Sequence, residues 1–425
     1  MKGALATVVS LLIVTVGVSI AVPVLSYLAG VLVLLSAAIG IVLVNRTQRV
    51  VSIVLIGIGV CALGVALWLG HRLTLEALLS LNQNLIAMLA AVSFIQIVAA
   101  ADQVSISRLT GAMAVWRTAL ATHLLGSVIN VSAINIVGDH LGSPGRMSMP
   151  NALLLSRAFS AGAFWSPFWA ASAAAAAYAP GAKVNVLVFA GLCAAAVALA
   201  FSISGVVRSF GPELEGYRGY VLSWRILRIP LVLMASVLAA HALWPDLEIP
   251  NIVLVGSMAI TVVVLLFRSP ARTMPALVDH TVRGLPNMRG EITLFAAAGV
   301  LAVGLGALFQ SVQLTLPFTE FTVVTAWCCT LVMTLMSLVG VHPVISIAAV
   351  AVIVAPLHPE PTLYAMASMI AWAGSATVGP VSGLNVFLNG RFGIDNFAVA
   401  RRNLPYLAVV LALAWPILYL VEALA

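Results

Sequence analysis

Long apolar runs separated by short polar interruptions make up almost the whole chain. A hydrocarbon core of about 30 Å takes about twenty helical residues at 1.5 Å each. Runs of that length predict helices at about 4–22, 24–45, 50–69, 84–101, 184–205, 229–244, 250–267, 291–309 and 403–423, with Pro23 between the first two. Four further runs are interrupted inside. The run 110–141 holds Gly126-Ser127-Val128-Ile129-Asn130, and 317–357 holds Gly340-Val341-His342-Pro343. The run 150–180 holds Ala161-Gly162-Ala163-Phe164-Trp165-Ser166-Pro167, and 361–389 holds Gly374-Ser375-Ala376-Thr377-Val378-Gly379-Pro380. Such clusters break a helix and free its carbonyls and amides. In a bilayer those groups persist only where protein or a water-filled cavity satisfies them. The breaks come in pairs. Gly162 and Gly374 are 212 positions apart, Pro167 and Pro380 213, Gly126 and Gly340 214. Paired interruptions in two halves point to the binding site of a secondary transporter. The competing reading is that small residues simply let helices pack closely.

Composition agrees with the pattern. Of 425 residues, 62% are hydrophobic and 8% charged, and the mean hydropathy is +1.14; a soluble domain carries about 25% charged residues. These values predict an all-α polytopic membrane protein rather than a barrel. The first run lacks a small-residue cleavage site and reads as a retained helix. Cys61, Cys193, Cys328 and Cys329 lie in apolar runs without metal-ligand spacing and read as small core residues.

The net charge of +7 is spread over short loops, which argues against a nucleic-acid partner and for a statement about orientation. If 110–141 and 317–357 are re-entrant hairpins, sixteen of the 20 Lys and Arg fall on one face, against Arg72 and Lys183 on the other. The sixteen include Arg46, Arg49 and the basic residues of loops 208–228, 268–290 and 391–402. Single crossings at the hairpins would place two of the basic loops outside. The layout expected is thus about eleven spans plus two hairpins, in inverted-topology repeats. Residues 1–23 form a first helix, 24–205 repeat 1, 206–228 a cytoplasmic linker and 229–425 repeat 2. The N-terminus is expected in the cytoplasm and the C-terminus outside, in a plasma membrane of the bacterial inner-membrane type.

This layout resembles the ion transporter superfamily, which includes divalent anion:sodium symporters, arsenite permeases and sodium/proton antiporters. Ser127-Val128-Ile129-Asn130-Val131-Ser132 is similar to a hairpin tip of that group, and Gly374 to Asn385 is similar to its Gly-rich broken span. The resemblance implies a sodium site near Asn130 and Asn385 and no other cofactor. Two departures stand out. The second hairpin has Ser337 and Gly340 but His342-Pro343 in place of Asn, and the first broken span reads Ser166-Pro167-Phe168-Trp169, with aromatics where small polar residues are usual.

The candidate substrate-binding residues are Ser127, Asn130, Ser166, Ser337, Gly374, Ser375, Thr377, Ser382 and Asn385. Helix N-termini at hairpin tips and breaks carry free amides and about half a positive charge each, enough to hold an anion without a charged side chain. The same hydroxyls and amides serve equally as glue between helices. Arg157 is a candidate anion-binding residue or a snorkelling one. His342 is a candidate coupling group, since imidazole titrates near ~6.5 when unperturbed. Asp102 and Asp139 read as loop acids flanking the first hairpin. Neither a paired-carboxylate site nor a helical His/Glu metal motif, a Gly-x-Ser-x-Gly turn or a P-loop is present. The function expected is secondary active transport of a small organic or inorganic anion, coupled to sodium or protons, with the lipid bilayer as the surrounding partner. A permease subunit of a multi-component transporter and an intramembrane enzyme on lipid-linked substrates are the alternatives. The sequence leaves a homo-oligomer or a partner subunit open.

Overall fold

In the computed structural model, residues 1–79, 82–99, 106–220, 224–312 and 316–425 are described. The helices, in chain order, are α1 (Lys2–Ser19), α2 (Leu25–Leu43), α3 (Arg46–Trp68), α4 (Leu75–Leu79), α5 (Gln83–Ser93), α6 (Ile95–Ala99), α7 (Gly111–Ile129) and α8 (Ser132–Leu141). There follow α9 (Met149–Ser160), α10 (Ala170–Tyr178), α11 (Val184–Ser209), α12 (Trp224–Leu243), α13 (Ile249–Arg268), α14 (Pro270–Asp279) and α15 (Arg289–Val312). The chain ends with α16 (Val323–Leu338), α17 (Pro343–Val354), α18 (Pro361–Val378), α19 (Gly383–Phe392), α20 (Asn396–Arg402) and α21 (Leu404–Leu424). Two short strands, β1 (Ile106–Thr110) and β2 (Arg218–Tyr220), pair antiparallel. Among the described residues, nine helical stretches are long and apolar enough to cross a membrane. The protein is an all-α, multi-pass membrane protein. The nine include α7, which at 19 residues is long enough to span by itself; the halves of the two broken spans are not among them.

All four interruptions expected from the sequence are present. The run 110–141 breaks at Asn130, whose φ of 52° and ψ of −137° end α7. The run 317–357 breaks between α16 and α17. Gly340 sits there at φ 91°, its N–H donating to Ser337 O (3.0 Å) while Val341 N–H reaches Met336 O (3.1 Å). This pair of bonds is a Schellman C-cap, which needs a left-handed residue that glycine adopts without strain. The run 150–180 divides into α9, a 3-10 turn over Ala161–Phe164 and α10. The run 361–389 divides into α18 and α19 across Gly379–Ser382.

The chain folds as two compact units, each drawing segments from both halves of the sequence. Unit 1 comprises Met1–Val98, Ser236–Thr319 and Ile347–His358; unit 2 comprises Ala99–Ala235, Glu320–Ser346 and Pro359–Ala425. Unit 1 packs α1 on α2 and α3 on α15. On α1 the buried stripe is Leu5, Val9, Leu12 and Val16, spaced three and four residues apart as a helix face requires. The α3–α15 crossing is backbone on backbone: a Cβ on Gly59 would lie 2.6 Å from Val300 O. Residues 268–290, expected as a polar loop, instead form α14, a π turn over His280–Gly284 and a 3-10 turn over Leu285–Met288.

Unit 2 is built around α18, buried from Thr362 to Val378 and packed on α9, α10, α16 and α21. Glu360 caps its start, Oε1 accepting from Thr362 N (2.9 Å) and Oε2 from Leu363 N (2.6 Å). A carboxylate at a helix N-terminus also complements the macrodipole. Trp327 Nε1 donates to Leu411 O (2.9 Å) and ties α16 to α21. The expected linker 206–228 is not free chain where it is described. Tyr220 N donates to Thr118 Oγ1 (2.9 Å), which binds β2 to α7.

Candidate functional site

The two broken spans are resolved in opposite ways. At the first, aromatic side chains seal the break. Trp169 Nε1 donates to Gly126 O (2.8 Å), and Ser166 Oγ donates to Ser127 O. These are carbonyls at the end of α7, so the bulky residues of the first break satisfy the tip of the first interrupted run. Trp165 Nε1 donates to His123 Nε2 (3.1 Å), and His123 Nδ1 faces Ala158 O (3.2 Å). An indole N–H can only donate, so His123 Nε2 accepts and Nδ1 carries the proton. The imidazole is neutral, with both nitrogens used. Ser127 Oγ returns to Leu124 O in its own helix (2.9 Å), and Asn130 stands half-buried at the tip.

At the second break the polar groups are divided between holding the chain and facing a cleft. Asn385 Nδ2 donates to Thr377 O (3.0 Å) and Gly379 O (2.9 Å), joining both sides of the interruption. Ser382 Oγ donates to Ala376 O (2.9 Å) and accepts from Asn385 N (3.2 Å), which makes it the N-cap of α19. Thr377 Oγ1 returns to Gly374 O (2.7 Å). Gly374 serves packing, since a Cβ there would lie 3.1 Å from Leu407 Cδ1.

The cleft is lined by Ser337, Gly340, Val341, His342 and Pro343 from the α16–α17 turn, and by Ser375, Gly379, Val381 and Ser382 from the break. It encloses ≈ 180 Å³ of empty space, including its open mouth. The two sides approach closely: a Cβ on Gly340 would lie 3.2 Å from Val381 Cγ2, and one on Gly379 3.4 Å from Ser337 O. Ser337 Oγ donates to Thr334 O (2.7 Å), leaving its lone pairs on the oxygen. His342 Nδ1 accepts from Val344 N (3.3 Å) at the start of α17, and the ring stands edge-on to Trp372, centroids 5.5 Å apart. Ser375 differs from the rest. Its residue is 0% exposed and its Oγ has no hydrogen-bond partner. A buried hydroxyl left without a partner costs about 1–3 kcal/mol.

Of the expected site residues, Ser337, His342, Ser375 and Ser382 line one cleft, with Thr377 and Asn385 directly behind it. Ser127, Asn130 and Ser166 do not line it. Arg157 is 8% exposed and engaged within the protein. Its Nε donates to Asn403 Oδ1 (2.7 Å), its Nη2 to Arg402 O (3.0 Å), and it lies 5.3 Å from the centre of the Tyr406 ring. Sequence reasoning missed Asn403, whose Nδ2 reaches Thr377 O (3.1 Å) and Ser156 Oγ (3.3 Å). Asn403-Leu404-Pro405 reads as an ordinary helix start, and nothing local marks its side chain as the link between α9 and the second break. Asp102 lies outside the described residues. Asp139 forms a two-pronged, half-exposed pair with Arg391, Nη2 to Oδ2 at 2.7 Å.

Among the described residues, no three His, Cys, Asp or Glu side chains stand together as a metal site. Asn385 Oδ1 is a buried oxygen without a hydrogen-bond partner. An oxygen of that kind suits a hard cation such as sodium, which oxygen ligands hold. No protein-family model matches this sequence, and a search of curated proteins finds no match.

Proposed function

We infer that the protein is a secondary transporter of a small anion. The observation that carries this reading is the Ser375 hydroxyl, buried and unpartnered in a cleft onto which the starts of α17 and α19 open. Each helix start contributes about half a positive charge. Two of them offset roughly one negative charge, and no Lys or Arg lines the cleft. That balance suits a compact monoanion better than a dianion. Ser375 donates to the ligand, and the open amides of Gly383 and Leu384 at the start of α19 add donors. Sodium near Asn385 Oδ1, or a proton, is the coupling ion.

The interrupted runs 110–141 and 317–357 serve as re-entrant hairpins in this reading. Packing of α7 on α8 beyond Asn130 supports the first, and the reversal at Gly340 supports the second. Unit 2 carries the first interrupted run, both broken spans and residues Glu320–Ser346 of the second interrupted run, including its turn at Gly340. It is the body whose movement exposes the cleft to each side in turn, as repeat-based transporters do. Purified protein in proteoliposomes tests the function. Uptake of a labelled small carboxylate or inorganic oxyanion should saturate and should follow an imposed sodium or proton gradient. Leak-like, unsaturable flux for a broad panel of anions would contradict it.

A further inference from the structure

We propose that residues 267–289 form a membrane-surface site for the headgroups of anionic phospholipids. The segment joins two spans. The continuous helical stretch from Pro270 to Val312 has 43 residues, about 65 Å at 1.5 Å per residue. The hydrocarbon core is about 30 Å thick, and the 24 residues of α15 already cross it. The preceding turns are therefore left at the surface.

This surface piece has three faces. One packs on the rest of unit 1: Thr273, Leu285 and Pro286 are buried, and His280 Nε2 bonds Ser93 Oγ (2.9 Å) with its ring against Phe94. The second is apolar and exposed. Ala271, Met274, Val278 and Val282 recur at steps of three and four residues; the last three are 67%, 52% and 54% exposed, and Phe267 at the end of α13 is 88% exposed. An apolar stripe of this kind beside a basic one is the pattern of a helix lying in the interface plane. The third face is basic. The segment holds Arg268, Arg272, Arg283 and Arg289 against one carboxylate, Asp279. Arg268 Nη1 is held by Val98 O (2.8 Å), and Arg289 Nε and Nη1 reach Leu43 O and Pro286 O. The only ion pair in the segment among the described residues is Asp279–Arg283, exposed on both sides, and such pairs contribute little. Arg272 and Arg283 thus flank the apolar stripe with charge to spare for phosphodiesters, while the stripe meets acyl chains.

The test uses the full-length protein in nanodiscs of phosphatidylcholine mixed with phosphatidylglycerol. Lipid retained on gentle detergent extraction should be enriched in phosphatidylglycerol. Each surface arginine is worth about fivefold in binding to an anionic surface, so R272Q/R283Q should lower that preference about 25-fold. R272K/R283K should keep it, and R208Q, at the end of α11, should leave it unchanged. A second measurement follows burial of the stripe. With Cys61, Cys193, Cys328 and Cys329 replaced by Ala, a dye on Met274→Cys should be quenched by lipid-borne quencher and shielded from iodide. Three results would overturn the proposal: full phosphatidylglycerol preference in R272Q/R283Q, iodide access at Met274→Cys in intact nanodiscs, or release of the lipid by inorganic phosphate alone.

Discussion

Asn385 and Arg157, both candidate site residues by sequence, are held by hydrogen bonds within the protein, and mutation should show what those bonds contribute. Asn385 donates two hydrogen bonds across the interruption. At about 1 kcal/mol net each, N385A should lower stability by about 2 kcal/mol, read as a fall in the denaturation midpoint of the purified protein. The sequence marks Asn385 as a candidate ligand group or as glue between helices, and its amide joins the two sides of the break. Arg157 is a buried cation whose partners are an amide oxygen, a carbonyl and a ring. Hydrogen bonds to charged groups are worth about 1.5–3 kcal/mol. R157Q should therefore destabilise by about 3 kcal/mol, and R157K should restore only part, because a point charge cannot repeat the fork of a guanidinium. The affinity of the folded fraction for anion should stay near wild type. A large loss of affinity at unchanged stability would return Arg157 to the binding site.

At the level of elements, the positions of the breaks were readable and their states were not. Glycine and proline mark where a helix must stop, so Asn130, Gly162–Pro167, Gly340 and Gly379–Pro380 were legible as interruptions. Whether an interruption is sealed depends on side chains that arrive from elsewhere. Trp169 reaches Gly126 O from 43 residues away, a distance over which local pattern carries no information. Replacing it with Phe should leave that buried carbonyl without a donor, at a cost of about 1–3 kcal/mol, visible in thermal unfolding. The segment 268–290, with its four arginines, reads as a polar loop; the three- and four-residue spacing of Ala271, Met274, Val278 and Val282 is present but shorter than a membrane run. Gly340 gives an element-scale test of the cleft. With φ at 91° and Val381 Cγ2 3.2 Å from a Cβ, G340A should strain the α16–α17 turn and shift the cleft wall. Gly181 has φ 88° with nothing within 4 Å of a Cβ. G181A should carry the same backbone strain of about 1 kcal/mol or more without touching anion affinity. Equal effects of the two on affinity would detach the turn from the site.

For the whole molecule, the apolar runs sufficed to give a multi-pass helical protein, because twenty-residue periodicity and charge depletion are set by the bilayer and not by partners. The grouping of the helices into two units was not legible, since each unit joins segments from both halves of the chain. Orientation rests on the Lys/Arg asymmetry. Single cysteines in 208–220, 268–290 and 391–402 should react with a membrane-impermeant reagent only after cells are opened. Labelling of 391–402 in intact cells would remove the hairpin topology and the inverted repeat with it. We propose that a small anion is held in the cleft by Ser375, a buried hydroxyl of its lining that has no hydrogen-bond partner. It is tested most directly by comparing wild type with Ser375→Ala in calorimetric titrations with acetate, lactate, nitrate, succinate and phosphate. The Ser375 Oγ contributes nothing to the fold, so S375A should unfold at or slightly above the wild-type midpoint. A monoanion of the panel should bind wild type, and should bind S375A roughly ten- to over a hundredfold more weakly, the loss of about 1.5–3 kcal/mol expected for a hydrogen bond to a charged group. Wild type and S375A binding the same anion with equal affinity would contradict it.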